Sequence, residues 1–141
     1  MIFAREEAEV LSDVLRGSQD EIGAIDRPGP VTERLYPAAY EDTEAATEFR
    51  QLTQGDLRDS RLARLTECAD ELDATGGEIP LTGEVADRWI RALNDLRLLL
   101  GTRLGVTDDY DHDVDARDPQ APQHALYSWL TAIQDLVVRS L

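Results

Sequence analysis

The sequence predicts an all-α protein: a single-domain bundle of about five helices, with a long central helix and an acidic loop before the C-terminal helix. Apolar residues recur every three or four positions over most of the chain, which is the spacing of one helix face. Aromatic residues are only 6% of the 141 residues, so leucine and alanine, which favour helices, must fill most of the core. A chain of this length fits one domain, here residues 1–141, and can bury a core without disulfides or metal.

The first predicted helix covers residues 5–22 and ends before Gly23 and a turn rich in proline. Its apolar side consists of Val10, Leu11, Val14, Leu15 and Ile22. The following segment, 31–40, is interrupted by Pro37, and its leucine and tyrosine side chains are expected to dock onto the core.

Two helices are predicted next, over 42–52 and 53–73. The boundary between them is placed at Thr53, because Thr53 followed by Asp56 resembles a capping box. Glycines 76 and 77 end the second of these helices. Its apolar stripe consists of Leu57, Leu65, Cys68 and Leu72.

The longest predicted helix begins after Thr82, as its cap, and ends at Leu104, with Gly105 as the stop signal. One face of this helix carries Val85, Trp89, Leu93, Leu96 and Leu100. Residues 78–81, which precede it, are predicted as an extended linker for which the sequence shows no strand partner. Residues 106–122, which follow it, form the predicted acidic flexible loop.

The last helix is predicted from about Gln120 to the C-terminus. One face carries Leu126, Leu130, Ile133 and Val137, flanked by Trp129 and Leu136. Apolar residues left exposed on this helix or on the first one would support a homo-oligomer.

Charge limits the possible functions. There are 29 aspartates and glutamates against 14 basic residues, all of them arginines, and the formal net charge is −15. Such a charge repels phosphate and argues against direct nucleic-acid binding, although a local stripe of arginines would escape this argument. The acidic surface indicates either solubility alone or attraction to a basic protein partner. No apolar run is long enough to span a membrane and the N-terminus lacks the pattern of a signal peptide, so a cytoplasmic location is expected.

No pattern predicts catalysis, a cofactor or a metal site. The alternating aspartates of 109–115 are similar to the start of a calcium loop, but neither register has the required glycine and glutamate. A solvated acidic loop is therefore the preferred interpretation. His112 and His124 have no spacing that would place them on one helical face, and no nucleophile motif or phosphate loop is present. We therefore expect a protein that is not an enzyme.

Cys68 is the single cysteine, so a disulfide within the chain is excluded. Its position between Leu57 and Leu72 on the helical wheel predicts a buried, unreactive thiol. The alternative is a redox-active Cys68, whose pKa would be lowered by Arg61 and Arg64 about one turn away.

Polar residues near the apolar face of the longest helix are the candidate structural or interaction residues. Asn94 and Arg97 lie at the rim of that face, and Arg103 projects within it near its C-terminal end. An unpaired buried guanidinium is very costly, so we expect Glu48 or another core-facing acid to pair with Arg97 or Arg103 and lock two helices together. An arginine-rich recognition groove is the alternative.

Three motifs carry a resemblance to a known family. They are Leu35-Tyr36-Pro37 followed by 39–40 and 45–50, which includes Glu48 and Arg50; Trp89–Arg97 continuing through 100–105; and Tyr127-Ser128-Trp129-Leu130-Thr131. Together they resemble an actinobacterial family of domains of unknown function, number 2017, whose members are oxidative-stress transcriptional regulators of the AosR type. The resemblance extends from about Thr32 to Leu141, and the first helix matches only loosely.

The resemblance implies a cytoplasmic, non-enzymatic helical regulator that acts by protein–protein interaction, with a sigma factor or RNA polymerase as the expected partner. Genes of the family also lie beside that of the Clp protease adaptor, so an accessory role in Clp-dependent proteolysis is an alternative. A direct DNA-binding regulator is another. Redox sensing ascribed to the family requires a pair of thiols, whereas this chain has Cys68 alone, so a disulfide switch would need two chains and an exposed Cys68.

Overall fold

The computed structural model describes residues 1–24, 44–106 and 114–141, with side chains described at 1–23, 57–106 and 114–141. Within these ranges there are four α-helices: α1 (Arg5–Ala24), α2 (Glu44–Thr75), α3 (Gly83–Leu104) and α4 (Ala121–Arg139). The all-α prediction is confirmed, and the number of about five helices is too high for the described residues. The helices belong to two compact units, Met1–Pro80 and Leu81–Leu141. The single-domain organisation stays a prediction.

The extra predicted helix arose at Thr53, where the expected boundary does not exist. α2 runs through it as one helix of 32 residues, which makes α2 longer than α3. A serine, threonine or aspartate caps a helix only where the preceding backbone leaves the helical conformation. Nothing between Thr53 and Asp56 forces that departure, since Gly55 is tolerated inside a helix and no proline is present.

In the first unit, α1 packs against α2. The buried side chains described for the two helices are Ala8, Leu11, Ser12, Leu15, Ile22, Leu65, Cys68, Ala69 and Leu72. Leu57 and Val10, which the sequence placed on buried faces, are both exposed. The buried faces are therefore narrower than the apolar stripes, because a helix covers only the part of its neighbour that lies opposite it.

The first helix begins with a partial capping box that the sequence analysis did not identify. The Glu7 side chain accepts a hydrogen bond from the backbone N–H of Ala4 at 2.8 Å, as the third residue of a helix does in a capping box. Glu6 and Glu7 also place negative charge at the positive end of the helix dipole. These two effects fix the start of α1 at Arg5, where the sequence predicted it.

Residues 78–81 do have a partner, the N-terminal segment. Ile2 and Glu78 form an isolated antiparallel bridge, Phe3 N–H donates to the Gly77 carbonyl at 2.9 Å, and Ile79 N–H donates to the Met1 carbonyl at 2.7 Å. The side chains of Phe3 and Ile79 are buried. The expectation that this extended segment lacks a strand partner was wrong, because pairing between positions so far apart leaves no local signal.

A polar network crosses from α1 to α2 at the edge of their contact and includes the buried Ser12. Arg16 Nη2 lies 2.6 Å from Asp73 Oδ2 and 3.0 Å from Asp70 Oδ1, and Ser12 donates to Asp73 Oδ1 at 2.9 Å. The hydrogen bonds from Arg16 and then from Ser12 hold the pKa of Asp73 below its ordinary value. The charged form of Asp73 therefore favours the folded chain.

This network predicts a pH-dependent contribution to stability. Because the pKa of Asp73 is lower in the folded than in the unfolded chain, its stabilisation is complete above the unfolded value of about 3.9 and disappears as the pH falls through the folded value. Asp73→Asn should lower the melting temperature at neutral pH and make no difference at a pH below the folded pKa. Arg16→Met should lower the melting temperature with the same dependence on pH. Thermal unfolding followed by circular dichroism across this range is the measurement, and a deficit that is the same at every pH would contradict the assignment.

In the second unit, α3 packs against α4. The buried side chains of the pair are Ala86, Trp89, Ala92, Leu93, Asp95, Leu96, Leu99, Leu100, Tyr127, Leu130, Ile133 and Val137. Gly101 allows the close approach of the two helices, since a Cβ at this position would lie 3.2 Å from Cε2 of Tyr127. The predicted central face of α3 is confirmed at Trp89 and at the leucines that follow it.

The ends of α3 and the start of α4 agree with the sequence signals in position. Gly105 adopts the left-handed conformation, φ 67°, and Val106 N–H closes the end of α3 on the Gly101 carbonyl at 2.8 Å. Thr82 occupies the cap position of α3, but its side chain makes no capping hydrogen bond. α4 begins after Gln120 with Pro122 in its first turn, where a missing N–H costs nothing.

No helix in the three described ranges is long and apolar enough to cross a membrane.

Candidate interaction surface

The candidate residues of α2 and α3 differ in their surroundings. Glu48 and Arg50 lie in α2, where their side chains are outside the described residues. Asn94 is exposed on α3. Arg103 is also exposed, in the last turn of α3, so its predicted place within the buried face was wrong. A cation at the C-terminal end of a helix is favoured by the helix dipole, which is a physical reason for Arg103 to be there.

Arg97 is the candidate that joins two helices. Its half-buried guanidinium donates from Nε to the Thr131 hydroxyl of α4 at 3.0 Å and from Nη1 to the side-chain carbonyl of Gln134. The guanidinium carbon also lies 5.5 Å from the ring centroid of Tyr127, within the range of a cation–π contact. Gln134 in turn donates to the Ile90 carbonyl of α3 at 3.2 Å. We call Arg97, Tyr127, Thr131 and Gln134 the Arg97 cluster.

The sequence analysis predicted a helix-locking role for Arg97 through a carboxylate. The locking geometry is present, but the partners shown for Arg97 are a hydroxyl, an amide and an aromatic ring. A planar guanidinium can direct several donors at once, so neutral acceptors satisfy it without a second buried charge. The pairing with Glu48 lies outside the described residues and stays a prediction.

Removing the guanidinium should weaken the contact between α3 and α4. Arg97→Met keeps most of the apolar stem but leaves Gln134 and Thr131 without their donor, so we expect a loss of about 1 to 3 kcal/mol in the free energy of unfolding. Arg91→Met is the matched control, because Arg91 lies on the same helix in an exposed pair with Asp87 and should cost at most about 0.5 kcal/mol. Urea unfolding followed by far-ultraviolet circular dichroism measures both, and equal effects would show that the Arg97 cluster is not a structural contact.

Cys68 is fully buried, with 0% of its surface exposed. The prediction of a buried thiol is confirmed. A disulfide between two chains would require an exposed Cys68, and the folded structure does not meet that condition. Burial also keeps water and oxidants from the sulfur, and site-selective oxidation follows exposure.

Asp95 is a buried carboxyl group that the sequence analysis did not identify. It is 2% exposed on α3. Its spacing was the available signal, since Asp95 follows Ala92 by three positions and precedes Leu99 by four, and both neighbours are buried. Asp95 therefore shares the side of α3 that carries these two buried residues.

α4 presents apolar residues on its exposed side as well as on its buried one. We call Ala125, Trp129, Ala132 and Leu136 the α4 outer stripe; the two alanines and Leu136 are exposed, and Trp129 is half-buried. Leu136 keeps 55% of its surface exposed, and Val138 and Leu141 nearby are also exposed. The sequence named Trp129 and Leu136 as flanks of the buried face, but only the packing of α4 shows which side stays open.

The same helix carries little charge. In α4 the only charged residues among 19 are Asp135 and Arg139, which form a salt bridge of 3.0 Å with each other, whereas 30% of the whole chain is charged. Interfaces between proteins are depleted of charge at their centres and enriched in tryptophan. The outer stripe of α4 has both properties.

Within the part of the chain that the structure describes, no group of three or more histidine, cysteine, aspartate or glutamate side chains is arranged to hold a metal ion. His124 is half-buried on α4. The aspartate-rich run 109–115 falls mostly outside the described residues; within them, the carboxylate of Asp115 accepts a hydrogen bond from the Arg117 N–H.

The chain is similar to proteins of known name. The "Putative oxidative stress regulator AosR" of Mycobacterium leprae (strain TN) is 31% identical over 110 residues, which are 77% of this chain and 51% of that protein. The "Oxidative stress regulator AosR" of Mycobacterium tuberculosis (strain ATCC 25618 / H37Rv) is 30% identical over 131 residues, covering 82% of this chain and 60% of that protein. The chain thus spans between half and three-fifths of the length of these curated relatives. No solved structure matches the chain.

The family comparison covers nearly the whole sequence. The model of the DUF2017 family, described as a domain of unknown function, matches residues 2–141. This range includes the first helix, whose sequence resembles the family only loosely. The chain therefore belongs to the DUF2017 family.

Proposed function

We propose that this chain is a non-enzymatic regulatory domain of the oxidative-stress response that acts on transcription by binding another protein. The observation that carries the proposal is the similarity, at about 30% identity, to proteins named oxidative stress regulator AosR. The partner we propose is a component of the transcription machinery, a sigma factor or RNA polymerase, which places the protein in the cytoplasm. The names of the relatives refer to the oxidative-stress response. The binding partner is our inference.

The acidic surface supports a protein partner over DNA. With a net charge of −15, the chain repels phosphate, and binding to DNA draws much of its strength from counterions released by basic residues. Basic surfaces of nucleic-acid enzymes, in contrast, are attracted to such a chain over several ångströms. An acidic regulator can therefore associate with a DNA-binding machine quickly while avoiding its template.

The burial of Cys68 bears on how oxidation is sensed. A folded chain whose only thiol is inaccessible cannot form a disulfide with another protein without opening first. In our proposal, oxidation acts on the partner protein or changes the amount of the regulator in the cell. Cys68→Ala should therefore leave partner binding unchanged with and without peroxide.

Binding to purified components tests the proposal. The chain is immobilised and exposed separately to actinobacterial RNA polymerase core, to its sigma factors, to the Clp adaptor with its ATPase, and to promoter DNA. Binding to a sigma factor or to polymerase, weakened by salt as expected for an acidic ligand, supports the proposal. Binding to the Clp components alone would favour a role in regulated proteolysis.

Promoter DNA provides the remaining outcome. Retardation of DNA that weakens steeply with salt would indicate direct DNA binding and overturn the proposed mechanism. If neither polymerase nor any sigma factor binds, in an assay that would detect a Kd as weak as about 1 mM, the proposed mechanism is overturned as well. Cys68→Ala, measured in the same assay with and without peroxide, separates binding from thiol chemistry.

A further inference from the structure

We draw no further inference here: the strongest candidate, the α4 outer stripe with its exposed Leu136, carries none, because its central Trp129 is half-buried with an interaction of its own and nothing in the described part of the structure shows what covers this face.

Discussion

Replacing Trp89 by alanine is expected to destabilise the chain by about 3 to 5 kcal/mol, the largest effect among single substitutions in the second unit. Trp89 has 0% of its surface exposed and is the largest fully buried side chain of the described residues. Its removal takes away a large apolar area from the interior and leaves a cavity that leucine and alanine neighbours cannot fill. The free energy of unfolding of a domain is only about 5 to 15 kcal/mol, so this one substitution should remove a large part of it.

The second tryptophan supplies the control. Trp129→Ala makes the same chemical change at a half-buried position on α4, where water replaces part of the lost contact. Its expected cost is about 1 to 2 kcal/mol. Urea unfolding followed by far-ultraviolet circular dichroism avoids dependence on tryptophan fluorescence. Similar losses for the two variants would contradict the assignment of Trp89 as the main core residue of its unit.

Replacing Gly77 by alanine is expected to cost about 2 to 4 kcal/mol, because the position combines an unfavourable backbone conformation with a steric conflict. Gly77 has φ 104°, which side-chain-bearing residues rarely adopt. An added Cβ would lie 2.9 Å from the carbonyl oxygen of Phe3 and 3.3 Å from Cβ of Ala8. The N-terminal segment would have to move, and its hydrogen bonds to Gly77 and Ile79 would be lost.

Gly76→Ala separates these two causes. Gly76 also has a positive φ, 68°, but nothing lies within 4 Å of a Cβ added there. Only the backbone cost remains, about 1 to 2 kcal/mol. The difference between the two variants in thermal or urea unfolding therefore measures the close packing of the N-terminal segment together with the higher backbone cost of φ 104° at Gly77. If Gly76→Ala cost as much as Gly77→Ala, the segment would not be packed as described.

Much of the helical architecture could be predicted because its signals are local. The start of α1 at Arg5, the end of α2 before Gly76 and the end of α3 before Gly105 all lie where sequence signals placed them. Glycine ends a helix through its own backbone freedom, which no distant residue needs to supply. The missed boundary at Thr53 was also a local signal, but a capping sequence permits a helix to start without requiring the preceding one to stop.

The candidate residues were predicted less well, because their roles depend on what lies opposite them. Arg97 was expected to join two helices through a carboxylate, whereas its hydrogen-bond partners Thr131 and Gln134 are neutral, lie more than thirty positions away and gave no signal of their own. Arg103 was placed in the interior by helical spacing and lies at the surface. Spacing defines which residues share a side of a helix, but not how far the neighbouring helix extends along it.

The sequence by itself determined that this chain is helical, acidic and limited to one thiol, since composition and short-range periodicity are properties of the chain alone. Tertiary structure alone decided that α1 pairs with α2 and α3 with α4, that the N-terminal segment bonds to the residues after α2, and that Ala125, Ala132 and Leu136 of α4 stay exposed. An amphipathic helix has a preferred side to bury, but its own sequence does not specify which helix packs against that side. Contact between distant segments is settled by which surfaces fit, and that depends on the whole chain at once.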